Sequence, residues 1–303
     1  MRNKLFLFIL TLSAMLFISA CGSTSDATEK ENNNEANNNV KTEESDDRIV
    51  STTVAITEFL EELDLNAVGV PTTYKELPKR FDDATEVGNA MSPDLEIILS
   101  LEPTDVLSVT NLQGDLEESF TEHDIPASFL DLDTVDGMLT EIETLGEKYN
   151  RTEEANEIVS NFDKKMDEVE ETVKDKESPK VLILMGVPGS YIVGTENSYI
   201  GDLVKRAGGE NAVTDEEQDF ISANTEYLQQ LDADIILRAV HGAPDDVREM
   251  FDEEFEQNDI WKHFKAVKND SVYDLEETLF GTTANLAVEE AMDELLEILY
   301  SEN

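Results

Sequence analysis

Short apolar runs alternate along this chain with segments whose apolar residues recur every three or four positions. RIVSTT (48–53), NAVGV (66–70), DVLSV (105–109) and ASFLDL (127–132) read as strands. VAITEFLEEL (54–63), PDLEIILSL (93–101) and LEESFTEHDI (116–125) read as helices between them, the first capped by Thr52 or Thr53. PTTYKELP is a turn and Gly88-Asn89-Ala90 a loop. After 132 come two helices in succession, TVDGMLTEIETLGEKYN and then 151–176. The second contains no Gly or Pro and carries an apolar stripe at 158, 162, 166, 169 and 173. At 1.5 Å per residue it would run about 39 Å, the height of a domain. Alternation then resumes, with strands at 180–186, 190–194, 233–240 and 271–275 and helices at 199–209, 245–251, 258–264 and 286–300.

This order predicts an α/β fold of two Rossmann-like lobes with central, mainly parallel sheets. The N-terminal lobe would span 48–150, the interdomain helix 151–176 and the C-terminal lobe 177–303. Two segments support a repeated plan. EIILSLEPTDVL (96–107) and EYLQQLDADIIL (226–237) align without gaps, each opening with Glu and closing in a strand. Chance similarity between two helix-to-strand units is the alternative.

Ahead of these lobes lies a different composition. Arg2 and Lys4 precede the apolar LFLFILTLSAMLFI, and small residues lead to Cys21 in ISAC. This is the layout of a signal peptide over 1–20, too short to span a membrane. ISAC has the form of a bacterial lipoprotein box, which accounts for the single cysteine of the chain. An ordinary signal peptide with a chance Cys is the alternative. Lipid chains contribute about 0.8 kcal/mol per buried CH₂, so an acylated, palmitate-bearing Cys21 would tether the protein. Residues 21–47, acidic and Asn-rich, read as a flexible tether. The expected location is therefore the extracellular face of a cell membrane of Gram-positive type, with a lipid anchor.

Charge narrows the partners. Lys+Arg number 22 against 69 Asp+Glu, for a formal net charge of −47. Nucleic acid is excluded as a partner because phosphate binding needs a basic face. Solubility, or adaptation to salt or alkali, explains such acidity without invoking a ligand.

Enzymatic motifs are missing. MGVPGS follows a strand, but Pro188 and a second strand replace the helix of a dinucleotide fingerprint. No G-x-S-x-G, H-x-x-x-H or C-x-x-C occurs. The expectation is a protein that is not an enzyme. In alternating folds ligands occupy the crevice at strand ends, and ADIILRAVHGAP (233–244) places His241 at such an end. VGNAM (87–91) places Met91 in a loop between Gly88 and Pro93. A thioether and an imidazole converging from two lobes suit haem iron, for which Met/His is a known axial pair. Each residue also has a plain reading, His241 as a satisfied polar group and Met91 as a gap filler. His123, in an acidic stretch, and His263, beside Trp261 and Phe264, read as structural.

Four stretches carry a resemblance. VSTTVAITEFLEELDLNAVGVPTTYKELPKRF, GNAMSPDLE, KVLILMGVPGSYIVGTENSYIGDLVKRAGGEN and NDIWKHFKAVKNDSVYDLEE resemble the IsdE-type haem-receptor lipoproteins of Gram-positive haem uptake. That family implies a class III substrate-binding fold, two α/β lobes joined by one long helix. It implies haem b as transported ligand, an ABC permease with its ATPase as recipient, cell-wall haem donors and a monomer. By motif, Met91 and His241 become axial ligands, and Val54, Ala55, Thr73 and Tyr74 propionate contacts. Lys75 would add positive charge there. TTVA opens a helix, where free N–H groups favour a carboxylate, although Val54 also suits the core. Glu96 and Glu226 correspond to acidic residues that meet the permease, or else are solvated helix-start acids. A siderophore or corrinoid receptor of the same architecture is the alternative function.

Overall fold

Successive residues of each strand face opposite ways, and in this protein both faces are apolar. The computed structural model describes residues 47–214 and 216–300, which form one compact unit. The expected signal peptide, Cys21 and the tether up to residue 46 lie outside the described residues. The first half runs β1 (Ile49–Ser51), α1 (Val54–Glu62), β2 (Gly69–Val70), β3 (Thr85–Glu86), β4 (Gly88–Asn89) and β5 (Ser92–Pro93). Then follow α2 (Leu95–Ser100), β6 (Asp105–Val109), α3 (Gln113–Glu122) and β7 (Ala127–Leu130). Five strands form a parallel sheet in the order β3-β2-β1-β6-β7, and β4 with β5 makes a separate antiparallel hairpin.

Helices α4 (Val135–Lys148) and α5 (Thr152–Val173) lead into the second half. There the elements are β8 (Lys180–Val187), β9 (Ser190–Gly194), α6 (Tyr199–Arg206), β10 (Glu210–Asn211), β11 (Phe220–Ser222) and α7 (Thr225–Gln230). The chain ends through β12 (Ile235–Val240), α8 (Pro244–Gln257), α9 (Lys265–Lys268), β13 (Val272–Asp274) and α10 (Val288–Tyr300). The second sheet has the order β11-β9-β8-β12-β13, with β10 also on β8; β9 and β11 run antiparallel to their neighbours. Two α/β lobes with mainly parallel sheets are thus observed, as expected.

The strand faces sort into three apolar clusters. Val50, Val106, Phe120 and Ile98 pack on the outer side of the first sheet, and Leu182, Leu184, Ile236 and Trp261 on the outer side of the second. Their chain neighbours Ile49, Leu107, Val181, Ile183 and Leu237 all belong to one continuous core with Met138, Leu145, Phe162, Leu203 and Leu295 from the helices. That core crosses from one lobe to the other. Burial of each such Leu, Ile or Phe is worth about 1.5–3 kcal/mol. Polar links run alongside it: Ala284 N–H donates to Leu132 O at 2.7 Å, and Arg206 pairs with both Asp136 and Asp202 at 2.9 Å.

The matched segments occupy equivalent places. Asp94 and Asn224 cap α2 and α7, each six residues long. Glu102 (φ 46°) and Asp232 (φ 50°) leave those helices left-handed, and β6 and β12 follow. Helix α5 covers 22 residues, about 33 Å, with Ala155, Phe162 and Val169 buried on one side. The helix expected at 258–264 is instead a 3₁₀ turn, Trp261–His263. Asn258 Oδ1 accepts the N–H of Ile260, and Glu254 takes both Asn258 Nδ2 and Trp261 Nε1. Such local side-chain bonds compete with a helix. Trp261 and Phe264 are buried, as packing residues should be.

One inter-lobe contact opposes the rest. Asp133, after β7, has its carboxyl pushed up to about 6 by desolvation and by the charges of Asp219 and Asp131. A carboxyl pKa raised in the folded state means that folding takes up protons between about 4 and 6, so stability rises as pH falls through 6. Asp133→Asn should therefore raise the melting temperature at pH 7.5, by on the order of 1 kcal/mol in stability. The gain should shrink as pH falls toward 4. A variant equal to the wild type at pH 7.5 in calorimetry would remove this repulsion from the account.

Candidate functional site

Parallel strands deliver their loops to one edge, and the sheet order places β1 beside β6, where the connections diverge to opposite sides. At that point α1 begins. Thr53 caps it, its hydroxyl taking the N–H of Ile56 at 3.3 Å, and the first intrahelical bond runs from Thr57 N–H to Thr53 O. Ser51 and Thr57 hydroxyls bond to each other and to Thr53 O, fixing the turn. The N–H groups of Val54 and Ala55 precede the first intrahelical bond and project from the helix end, with the positive end of the dipole. Ala55 is buried and Val54 half-buried.

Thr73, Tyr74 and Lys75 lie in the irregular segment between β2 and Lys79. Thr73 Oγ1 accepts the N–H of Lys75 at 3.1 Å. Tyr74 is 66 % exposed, an unusual position for a large ring. Thr72 N–H donates to Gly88 O at 2.8 Å and so joins this segment to the β4–β5 hairpin. Asn89 pairs with Ser92, leaving Ala90 and Met91 as the two-residue turn. The side chain of Asn89 accepts the N–H groups of both Met91 and Ser92, and Met91 stands 70 % exposed. Met91 therefore fills no gap in the core as this turn stands.

From the other lobe comes His241. Its N–H bonds Gly186 O at 2.8 Å, carrying the β8–β12 ladder one residue past the strand. Gly242 (φ 75°) and Ala243 (φ 45°) then turn left-handed into Pro244, the first residue of α8. For Ala this backbone costs about 1–2 kcal/mol, so the turn is held by its surroundings. His241 is exposed, yet neighbouring protein atoms take enough water from its ring to push the imidazole pKa below 6.5; Glu277 opposes the shift and Lys75 reinforces it. A ring kept neutral at neutral pH is available as a metal ligand.

The two lobes meet beside His241. Glu277, 7 % exposed on the loop after β13, accepts the Tyr74 hydroxyl at 2.6 Å and the Gly242 N–H at 3.2 Å. Lys75 Nζ lies 3.7 Å from the same oxygen. The Tyr74 hydroxyl is pushed up to about 12 by desolvation and by Glu277. Burial raises the carboxyl pKa of Glu58 on α1 above its ordinary value, and the Lys75 charge only partly offsets that rise. Hydrogen bonds and the Lys75 charge thus tie Thr73, Tyr74, Lys75 and the residue after His241 together around Glu277, and the Thr72–Gly88 bond joins the hairpin that carries Met91 to the same segment. Glu277 was not singled out by sequence. Among 69 acids nothing marks one carboxylate, although its place just past a strand end was a usable signal.

Glu96 and Glu226 stand away from this contact, exposed in the first turns of α2 and α7. Large apolar side chains accompany them, Leu99 and Tyr227, each 41 % exposed. His123 is exposed, its Nδ1 2.7 Å from Ser119 O. Among the described residues, no group of three or more His, Cys, Asp or Glu could hold a bare metal ion, and no helix is long and apolar enough to cross a membrane.

Known proteins resemble this chain in sequence and fold. A model of the periplasmic binding protein family matches residues 49–279. The chain is 45 % identical over all 303 residues, and 99 % of the relative's length, to the high-affinity heme uptake system protein IsdE of Staphylococcus aureus strain bovine RF122 / ET3-1. A crystal structure of S. aureus IsdE complexed with heme superposes with a TM-score of 0.81 at 49 % identity, covering 84 % of this chain and 99 % of that one. An ABC transporter substrate-binding protein from Listeria monocytogenes EGD-e gives 0.80 at 53 % identity, with the same two coverages.

Proposed function

The chain belongs to the periplasmic binding protein family, in the branch of the haem-uptake protein IsdE, and from that premise we propose a receptor that captures haem between its lobes and delivers it for uptake. One observation carries the reading. The loop bearing His241 and the segment bearing Tyr74 meet across the lobes through Glu277, while the Met91 turn is bonded to that segment. Met91 and His241 are the axial ligands in this reading, a soft sulfur and a neutral nitrogen that suit porphyrin iron. Haem is the cargo, so no bond in it need be made or broken.

Propionates would be held by backbone N–H groups at Val54 and Ala55 and at Thr73 and Tyr74. Helix-start amides bind carboxylates without a basic patch, which fits a chain of net charge −47. Lys75 contributes at longer range, its ammonium being directed at Glu277. The lobes are taken as 48–150 and 177–303 with 151–176 between them, and Cys21 as a lipidated anchor on the extracytoplasmic side. Haem would come from cell-wall donors and pass to an ABC permease driven by its ATPase, with Glu96 and Glu226 facing the permease from equivalent helices.

Haem added to the purified protein should give a Soret band and a low-spin visible spectrum. Met91→Ala and His241→Ala should each change that spectrum and weaken binding at least about tenfold. Variants with wild-type spectra and titrations would shift ligation to other residues, and a wild type without a Soret band would favour a siderophore or corrinoid receptor. For docking, the Glu96→Ala/Glu226→Ala double variant should bind haem normally but transfer it to permease-containing vesicles more slowly. Unchanged transfer would remove the two glutamates from that role.

A further inference from the structure

Glu277 is a buried acid with no place in the ligand set above, and its surroundings show what it holds. One oxygen receives the Tyr74 hydroxyl at 2.6 Å, the Gly242 N–H at 3.2 Å and, at 3.7 Å, the Lys75 ammonium. Tyr74 and Lys75 belong to the first lobe, and Gly242 adjoins His241 in the second. The segments tied together are weakly held by their own structure. Residues 71–78 have no helix or strand, and Gly242-Ala243 is a double left-handed turn that relies on outside contacts. A buried carboxylate must keep its donors, because an unpaired one bears the full cost of lost hydration.

We propose that Glu277 is a positioning residue, a clasp across the cleft that sets the His241 loop against the Tyr74–Lys75 segment. The proposal rests on the haem reading for its consequence, because the clasp fixes how far His241 stands from the lobe that carries Met91. It also occupies the Tyr74 hydroxyl and the Lys75 ammonium, leaving backbone N–H groups to meet the ligand's carboxylates.

The test compares wild type, Tyr74→Phe, Glu277→Gln, Glu277→Ala and the Tyr74→Phe/Glu277→Ala double variant. Each is checked for folding by circular dichroism. Two measurements follow: haem loss to excess apomyoglobin, with the Soret spectrum, and hydrogen exchange of the 71–78 segment without haem. Glu277→Ala should lose haem about tenfold faster, the worth of a hydrogen bond to a charged group, with an altered spectrum. Glu277→Gln keeps an acceptor oxygen and should stay within about threefold of wild type. Tyr74→Phe should lose haem faster alone and add nothing in the Glu277→Ala background. Exchange at 71–78 should rise in Glu277→Ala. Wild-type release and exchange in Glu277→Ala, or effects that multiply in the double variant, would overturn the clasp. Raised exchange in Glu277→Ala, from a wild type that binds no haem, would support the clasp while refuting the haem reading.

Discussion

Two side chains on separate lobes can share one metal only if the distance between the lobes is fixed. Here that distance is set by an apolar core continuous from Ile49 and Leu107, through Met138 and Phe162, to Ile183 and Leu295. Prising the lobes widely apart would return part of this core to water, at about 1.5–3 kcal/mol for each large side chain. Arg206, spanning Asp136 and Asp202, and the Ala284–Leu132 hydrogen bond lie along the same junction. Small displacements of surface loops, not swinging lobes, are what such a junction permits. The proposed ligand residues sit on just such loops, braced at Asn89 and Gly186.

The charge of the molecule then limits how a dianionic ligand is held. Positive side chains are few, and Lys75 is turned toward an internal acid. Helix-start and loop N–H groups supply partial positive charge that no titration removes. The His241 imidazole, although exposed, is biased toward its neutral form by partial desolvation and by Lys75, against the opposing charge of Glu277. The proposed set of soft sulfur, neutral nitrogen and backbone amides would make a site that an acidic surface does not compromise.

Much of this was legible in the chain. Period and length separated strands from helices, and the gapless match at 96–107 and 226–237 marked units that agree in cap, length and left-handed exit. Position alone brought His241 to a strand end. The short strands β3, β10 and β11 carry too few positions for a period and were invisible, whereas the equally short β1, β2 and β13 sit inside longer apolar runs. The 258–264 segment looked helical by composition, and only the Asn258 and Glu254 bonds decide otherwise. Glu277 was hidden for a different reason. Its meaning comes from three donors that reach it from residues far away in the chain, and no local pattern encodes such a meeting.

X-ray absorption at the iron edge of the haem-loaded wild-type protein asks the central question directly. A first shell of five nitrogens and one sulfur, with the sulfur lost in Met91→Ala, is the predicted result. A shell of nitrogen and oxygen alone would contradict ligation by Met91 and His241 together.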